Sequence, residues 1–416
     1  MTSDHINFRF ILPERVIPVL RNTLVLLENH FDLSIDDEST NVITISESPT
    51  SDIQLSGKFI HIFQQMKFDH LQVFEKEPLI YCSNGKPDYL GTCAYMVHYL
   101  QEYIDDEESF DELARFRYEK SYQYRFSCIK ENLVLEYLIM LKNNCTKLQS
   151  LGRKNISTSI WASHDIDSLY HNHLPELKTA IWHFRPDQIL SILTRLHRDP
   201  DMAIFEEILE IDQENSIPAT WFWLANNAVF NSVSGRVIEN ANYQITEQRV
   251  KNLIAGIKRS EATLGIHKSL GCSNISLERD QIDSCININR NHYLAGKLPE
   301  LWAEMEVANI EKDATAGFSG AMGFRNSYGL PVRPFDPRRN HPFNIIEYPL
   351  HIMDVTFMNQ GLSPGEAELE ILTFLRKHKT DCQISVLWHN NYFSDIKYPG
   401  WGAVYKSIIN YSKQNT

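Results

Sequence analysis

Seven short apolar runs, at 160–163, 219–224, 264–267, 286–290, 313–318, 344–353 and 384–389, alternate with helix-length stretches at 185–198, 202–214, 247–262, 276–285, 299–310, 364–379 and 401–412. A strand followed by a helix that carries the chain back for another strand builds a parallel sheet, so the region reads as βα units of a parallel sheet or barrel. The expected fold class is α/β, with a seven-stranded parallel sheet or (β/α) barrel over 151–416. In such barrels the reacting groups collect where the strands end.

The first of these runs ends abruptly in Ser163-His164-Asp165-Ile166-Asp167. With a side-chain period of two, an extended chain points Asp165 and Asp167 to the same side, and two carboxylates so placed favour a cation. The alternative is a turn cap beside a solvated loop aspartate. Other run ends deliver His267, Arg290, His292 and His389. One carboxylate and two imidazoles make a set that zinc accepts while keeping a position open for water. Any one of the 16 histidines is unremarkable by itself; their joint position at successive strand ends carries the argument.

A chain of 416 residues exceeds one small domain. Residues 1–150 read as a small α/β domain with strands at 6–12, 42–46 and 79–82 and helices at 16–30 and 89–103. An acidic break at 105–108 precedes a helical passage over 110–145 that bridges to the barrel, and Gly152 is the expected stop signal. A net charge of −13 argues against nucleic acid as the main partner and leaves a small molecule or sugar. Seven cysteines without C-x-x-C spacing fit reduced thiols in a cytoplasmic protein. No secretory signal and no transmembrane run is legible, and the oligomeric state is not encoded in any recognisable pattern.

These segments resemble the polysaccharide deacetylases with a NodB-homology domain, carbohydrate esterase family four, in a divergent branch. Asp165-Ile166-Asp167 resembles the family's first motif in a variant with one residue between the aspartates. The resemblance implies Asp165 as general base and Asp167 as metal ligand. His267 resembles the first histidine of the second motif, His-Ser/Thr-x-x-His, but Gly271 stands where the second histidine belongs. His292 is the replacement ligand expected here. Arg290 occupies the place of the arginine that positions the base, and Val386-Leu387-Trp388-His389 resembles the fifth motif, making His389 the general acid.

The implied fold is a distorted barrel of NodB type. The implied activity is metal-dependent removal of an acyl group, acetyl foremost, from an amino sugar or glycan, with zinc as the expected divalent ion. That ion polarises the acyl carbonyl and acidifies water, while Asp165 takes a proton and His389 gives one to the leaving amine. Asp313 through Asp336 and Asp354 are similar to substrate-side segments of the same branch. Asp313, Arg325, Trp388 and Asp354 are therefore expected at the substrate, with Trp388 stacking on a sugar ring or lying in the core. Asp354 either pairs with His389 or satisfies backbone amides. Arg325, Arg333, Arg338 and Arg339 form a loop cluster able to take a carboxylate or phosphate. Two other functions stay open: a barrel that only binds glycans, and a glycosyltransferase using Asp-x-Asp to hold a metal and nucleotide.

Overall fold

Four short strands rich in β-branched and aromatic residues open the chain: β1 (Asp4–Ile11), β2 (Leu33–Ile35), β3 (Val42–Ser46) and β4 (Ile53–Gln54). They pair in parallel in the order β2-β1-β3-β4. The computed structural model describes residues 4–170, 173–195, 199–260 and 262–415. Helices Ile17–His30, Gly57–Gln65, Tyr89–Val97 and Leu133–Asn144 bury their apolar faces together with this sheet. Tyr328, Val332 and Phe335, far along the chain, complete the same core.

Two expectations for this segment need correction. The run at 79–82 forms no strand, only an isolated bridge between Tyr81 and Pro87. Over 110–145, only Leu133–Asn144 is a sustained helix. Before it the chain makes a tight loop, with Phe110 bridged to Phe116 and Arg115 pinned to Asp111, and then a few short turns. These contacts draw the loop onto neighbouring structure, and its periodicity does not report them.

From residue 159 onward strands and helices alternate. The strands are β5 (Ser159–Ile166), β6 (Ala219–Trp223), a hairpin of β7 (Val229–Asn231) and β8 (Val237–Glu239), then β9 (Thr263–Lys268), β10 (Ile288–Asn291) and β11 (Lys312–Asp313). A small antiparallel pair, β12 (Phe335–Asp336) and β13 (His341–Pro342), precedes β14 (Ile346–Glu347), β15 (Ile352–Met353) and β16 (Gln383–Leu387). Eight of them form one parallel sheet, β14-β11-β10-β9-β6-β5-β16-β15.

The two edges of that sheet, β14 and β15, are consecutive in the chain and separated only by residues 348–351. The single run expected at 344–353 therefore splits, one half pairing with β11 and the other with β16. The amides of Tyr348 and Leu350 reach the carbonyls of Asp313 and Ala316 on one side, and the His351 amide reaches that of Ser385 on the other. One extended segment thus spans the seam of the curled sheet, and seven passages of chain supply eight ladder strands.

Alternation along each strand sorts side chains into two layers. Ile160, Ala162, Trp221, Trp223, Ile266, Val386 and Trp388 face the outer helices in the main core. Trp161, Phe222, Ile288 and Ala314 form a separate small cluster on the opposite face, inside the curl. The helices follow local signals. Asp199 caps Pro200–Glu214, which has proline in its first turn, and Ser363 makes a full capping box for Pro364–Lys377. The helix expected at 185–198 is present as Pro186–Arg195, and its last expected residues lie outside the described ones. No described helix is long and apolar enough to cross a membrane.

Candidate metal and acid–base site

Asp165, at the end of β5, and Asp167 just beyond it point into the curl, two residues apart as the extended spacing requires. Both approach the same imidazole. His267 Nε2 lies 3.5 Å from Asp165 and 3.2 Å from Asp167. The other nitrogen of that ring, Nδ1, is 2.8 Å from the Arg290 carbonyl, so the backbone of β10 fixes the ring with Nε2 toward the carboxylates. His292 follows β10 in the inward phase of Ile288 and Arg290. Its Nε2 lies 3.6 Å from Asp167 Oδ2, and its Nδ1 is held by the Asn240 side chain at 3.2 Å.

Ligand atoms of Asp167, His267 and His292 all fall within 4.8 Å of one another. Asp167 Oδ1 is buried and makes no well-aligned hydrogen bond, with His267 Nε2 as its neighbour at 3.2 Å. Burial opposes ionisation of Asp167, but His292, His267 and His389 outweigh it and hold its carboxyl well below the usual range. A buried carboxylate oxygen beside two imidazole nitrogens, each with its far side already bound, is a donor set that suits a divalent ion of the zinc class.

Asp165 is held differently. Arg290 Nη1 donates to its Oδ1 at 2.8 Å and to Ser163 Oγ at 2.9 Å, while Arg290 Nε donates to the Ala314 carbonyl at 3.0 Å. The guanidinium is fully buried and lies over the Phe222 ring, 4.5 Å from its centroid. Gly265 on β9 makes room for that ring, because a Cβ there would sit 2.4 Å from Phe222 Cδ1. Gly265→Ala is expected to cost about 1–3 kcal/mol by overpacking and to tilt Arg290 away from Asp165. Urea denaturation measures the cost.

Across the cavity, His389 Nδ1 is 2.8 Å from Asp354 Oδ1, and the His389 amide donates to Asp354 Oδ2 at 2.6 Å. Its Nε2 faces Asp167 Oδ2 at 3.5 Å. Burial disfavours the charged ring, but Asp354, then Asp167 and Asp165, raise its pKa to about 10. Asp354 thus favours the imidazolium form of this ring.

Asp165, Asp167, His267, His292 and His389 line a cavity of about 370 Å³ whose wall also includes Tyr293, Tyr392, Ser319, Asn359, Arg115 and Arg236. None of these six was expected from the sequence. Arg115 belongs to the N-terminal segment and Arg236 to the β7–β8 hairpin, so neither lies at the end of a sheet strand.

Four residues expected at the substrate are placed elsewhere. Trp388 sits one position out of phase with His389, in the outer layer against Trp401 and Tyr405, and has no exposed surface. Asp313 is likewise out of phase with Ala314 and is fully buried. It accepts from the Asn289 amide at 2.7 Å and the Thr315 hydroxyl at 2.9 Å. Beside it Glu347, bonded to the Trp302 indole N–H at 2.8 Å, is pushed well above the usual carboxyl range by burial and by Asp313. Arg325 makes a bidentate pair with Glu102 at 2.9 and 2.7 Å, both side chains buried. Asp354 is fully buried behind His389 and does not reach the cavity.

The loop cluster also disperses. Arg333 binds Asn344, Arg338 pairs with Glu300, and Arg339 pairs with Asp336 and Glu306. Strand parity in the sequence could have placed Trp388 and Asp313 in the outer layer; nothing local signals Glu102 as the partner of Arg325.

No family model and no curated protein sequence matches the chain. Solved structures do. A candidate polysaccharide deacetylase from Mycobacterium smegmatis superposes with a TM-score of 0.37 at 14% identity, over 62% of this chain and 85% of that one. A polysaccharide deacetylase from Bacillus cereus gives 0.31 at 10% identity, over 62% and 88%. A family-four carbohydrate esterase pseudoenzyme from Bacillus anthracis gives 0.25 at 13%, over 62% and 61%. At these scores no residue role passes from those proteins to this one.

Proposed function

We propose that this chain is a metal-dependent hydrolase that removes an acyl group, acetyl foremost, from the nitrogen of an amino sugar. The observation that supports this most is one cavity holding both a three-donor cation set, Asp167-His267-His292, and two further acid–base side chains, Asp165 and His389. A zinc-class ion, when bound, supplies Lewis-acid polarisation of an acyl oxygen and acidifies water.

The remaining chemistry belongs to the chain. Asp165, oriented by its hydrogen bond from the buried Arg290, is placed to accept a proton from attacking water. His389, kept protonated by Asp354, is placed to donate one to the departing amine nitrogen from the other wall. Amine expulsion needs that acid, because an amide anion is too poor a leaving group near neutral pH. Tyr293, 41% exposed beside His292, and Tyr392, near His389, offer aromatic faces of the kind that sugar rings pack against.

Elemental analysis of purified protein supplied with zinc, followed by amine release from N-acetylated sugars, tests the reading. About one ion per chain is expected. Asp165→Asn should keep the ion while losing roughly 10²–10⁴-fold in kcat. Protein that takes up no divalent ion, or that hydrolyses equally well after chelation, would remove the basis for the proposal.

Asp354 gives a pH prediction. The His389 pKa lies above that of an ordinary histidine, so its acid form, and the stability its ion pair contributes, are fully present below about pH 6.5 and are lost as pH rises through about 10. Asp354→Asn removes the strongest raising influence on His389. The alkaline limb of the kcat–pH profile is therefore expected to move toward neutral pH. An unmoved limb would assign Asp354 a purely structural role.

A further inference from the structure

Outside the metal and acid–base residues, the charged side chains on the cavity wall among the described residues are Arg115 and Arg236, and both are cationic. They arrive from different parts of the chain. Arg115 lies on the loop between Phe110 and Phe116 in the N-terminal segment, and Arg236 lies at the turn of the β7–β8 hairpin beside Gly235, whose φ of 81° permits the tight reversal.

These two elements are built onto each other and onto the barrel rim. Leu113 packs with Ile238, Leu270 and Ala295. Glu112 accepts from Ser232 Oγ at 3.0 Å and from Ser234 Oγ, and the Gly296 amide donates to the Leu113 carbonyl at 2.8 Å. Arg115 Nη1 donates to the carbonyl of Tyr293, whose φ of 58° turns the loop after His292 along the cavity. Arg115 is thus fixed on the same loop that presents a cation-set histidine.

Each guanidinium has an acidic neighbour. Asp111 accepts from Arg115 Nε at 2.7 Å, and Glu112 stands 3.6 Å from Arg236 Nη1. Neither acid lines the cavity. A guanidinium has five N–H donors, so Arg115 keeps some free after its bonds to Asp111 and Tyr293. Arg236, with a 61% exposed side chain, is loosely held. Asp165 and Asp167 are the acids that reach the cavity, and they are engaged by Arg290 and by the cation set. A neutral sugar offers the two guanidinium groups on this wall only uncharged hydroxyl and carbonyl acceptors. An anionic substituent accepts from both.

We propose that the cavity takes an N-acylated sugar bearing a carboxylate or phosphate, and that Arg115 and Arg236 recognise this anionic group. The location rests on the hydrolase reading, since it assumes that the scissile amide enters the same cavity, but anion recognition is measurable without turnover. It also gives residues 110–116 of the N-terminal segment a direct part in substrate selection.

The test is calorimetric titration of the full-length, zinc-loaded protein at fixed ionic strength with N-acetylglucosamine, its phosphate monoester and its uronic acid counterpart. At least one anionic sugar is expected to bind roughly tenfold or more tightly than the neutral one, the gain that one charge-assisted hydrogen bond supplies. Which of the two gains more identifies phosphate or carboxylate as the group recognised. Arg236→Gln, at an exposed hairpin turn, should retain fold and zinc while cutting that preference several-fold. Arg115→Gln with Arg236→Gln should abolish it. Equal or absent binding of all three sugars by wild type, or a preference that survives both substitutions, overturns the proposal. Loss of amine release with the preference intact would instead count against the hydrolase reading alone.

Discussion

His292→Ala is expected to strip the divalent ion from the protein and reduce amide hydrolysis by a factor of about 10³ or more, because the Lewis-acid contribution of several kcal/mol leaves with the ion. His292 Nε2 faces Asp167 with its Nδ1 held by Asn240, and Asp167-His267-His292 is the one such donor group among the described residues. Gly271→His, which restores the histidine spacing of the resembling family, is not expected to rescue the variant. Gly271 has a φ of 77°, which disfavours any side chain, and a Cβ there would meet Phe230 at 3.2 Å. Metal content by elemental analysis decides the matter. A His292→Ala protein that keeps a full equivalent of zinc would exclude His292 as a ligand. Burial disfavours the charged His267 ring, but Asp165 and Asp167 raise its pKa, so cation uptake displaces a proton and apparent affinity falls as pH falls.

Glu102→Ala is expected to lower stability by about 3–5 kcal/mol, the typical cost of leaving one member of a buried ion pair alone. Arg325 has only 2% of its side chain exposed. With Glu102 removed it keeps one bond to the Gly317 carbonyl, at 2.8 Å, and its place over the Phe318 ring. Removing both charges, in Glu102→Leu with Arg325→Met, should recover most of the loss, since two apolar side chains of similar size need no desolvation of charge. Urea denaturation of the three proteins measures it. A single-variant loss under about 1 kcal/mol would mean that water solvates the remaining guanidinium, contrary to its burial. The pair joins the N-terminal segment to the loop before β12, which is why Arg325 is committed to structure and does not face the cavity.

The strand-and-helix order of the second half was legible because each element needs one apolar face, and that need writes a period into the sequence. The same period placed Asp165 and Asp167 together, and His389 in phase with Leu387, which also lines the cavity. Where a residue lay one step out of phase, as with Trp388 and Asp313, its chemical character suggested a role that its parity contradicts. Glu347, four residues into the run at 344–353, shows another limit: which edge of a sheet a segment joins depends on distant partners, and this segment joins both.

The sequence by itself determined the α/β alternation, the identity of the strand-end acids and imidazoles, and their order along the chain, because these follow from local periodicity and side-chain chemistry. The tertiary structure alone decided that His292 reaches the position opposite Asp167, that Asp354 stands behind His389, and that Arg115 arrives from a segment 44 residues before the start of β5. Those placements come from how the sheet curls and which loops pack on its rim. Such contacts couple residues far apart in the chain, and no local pattern records them.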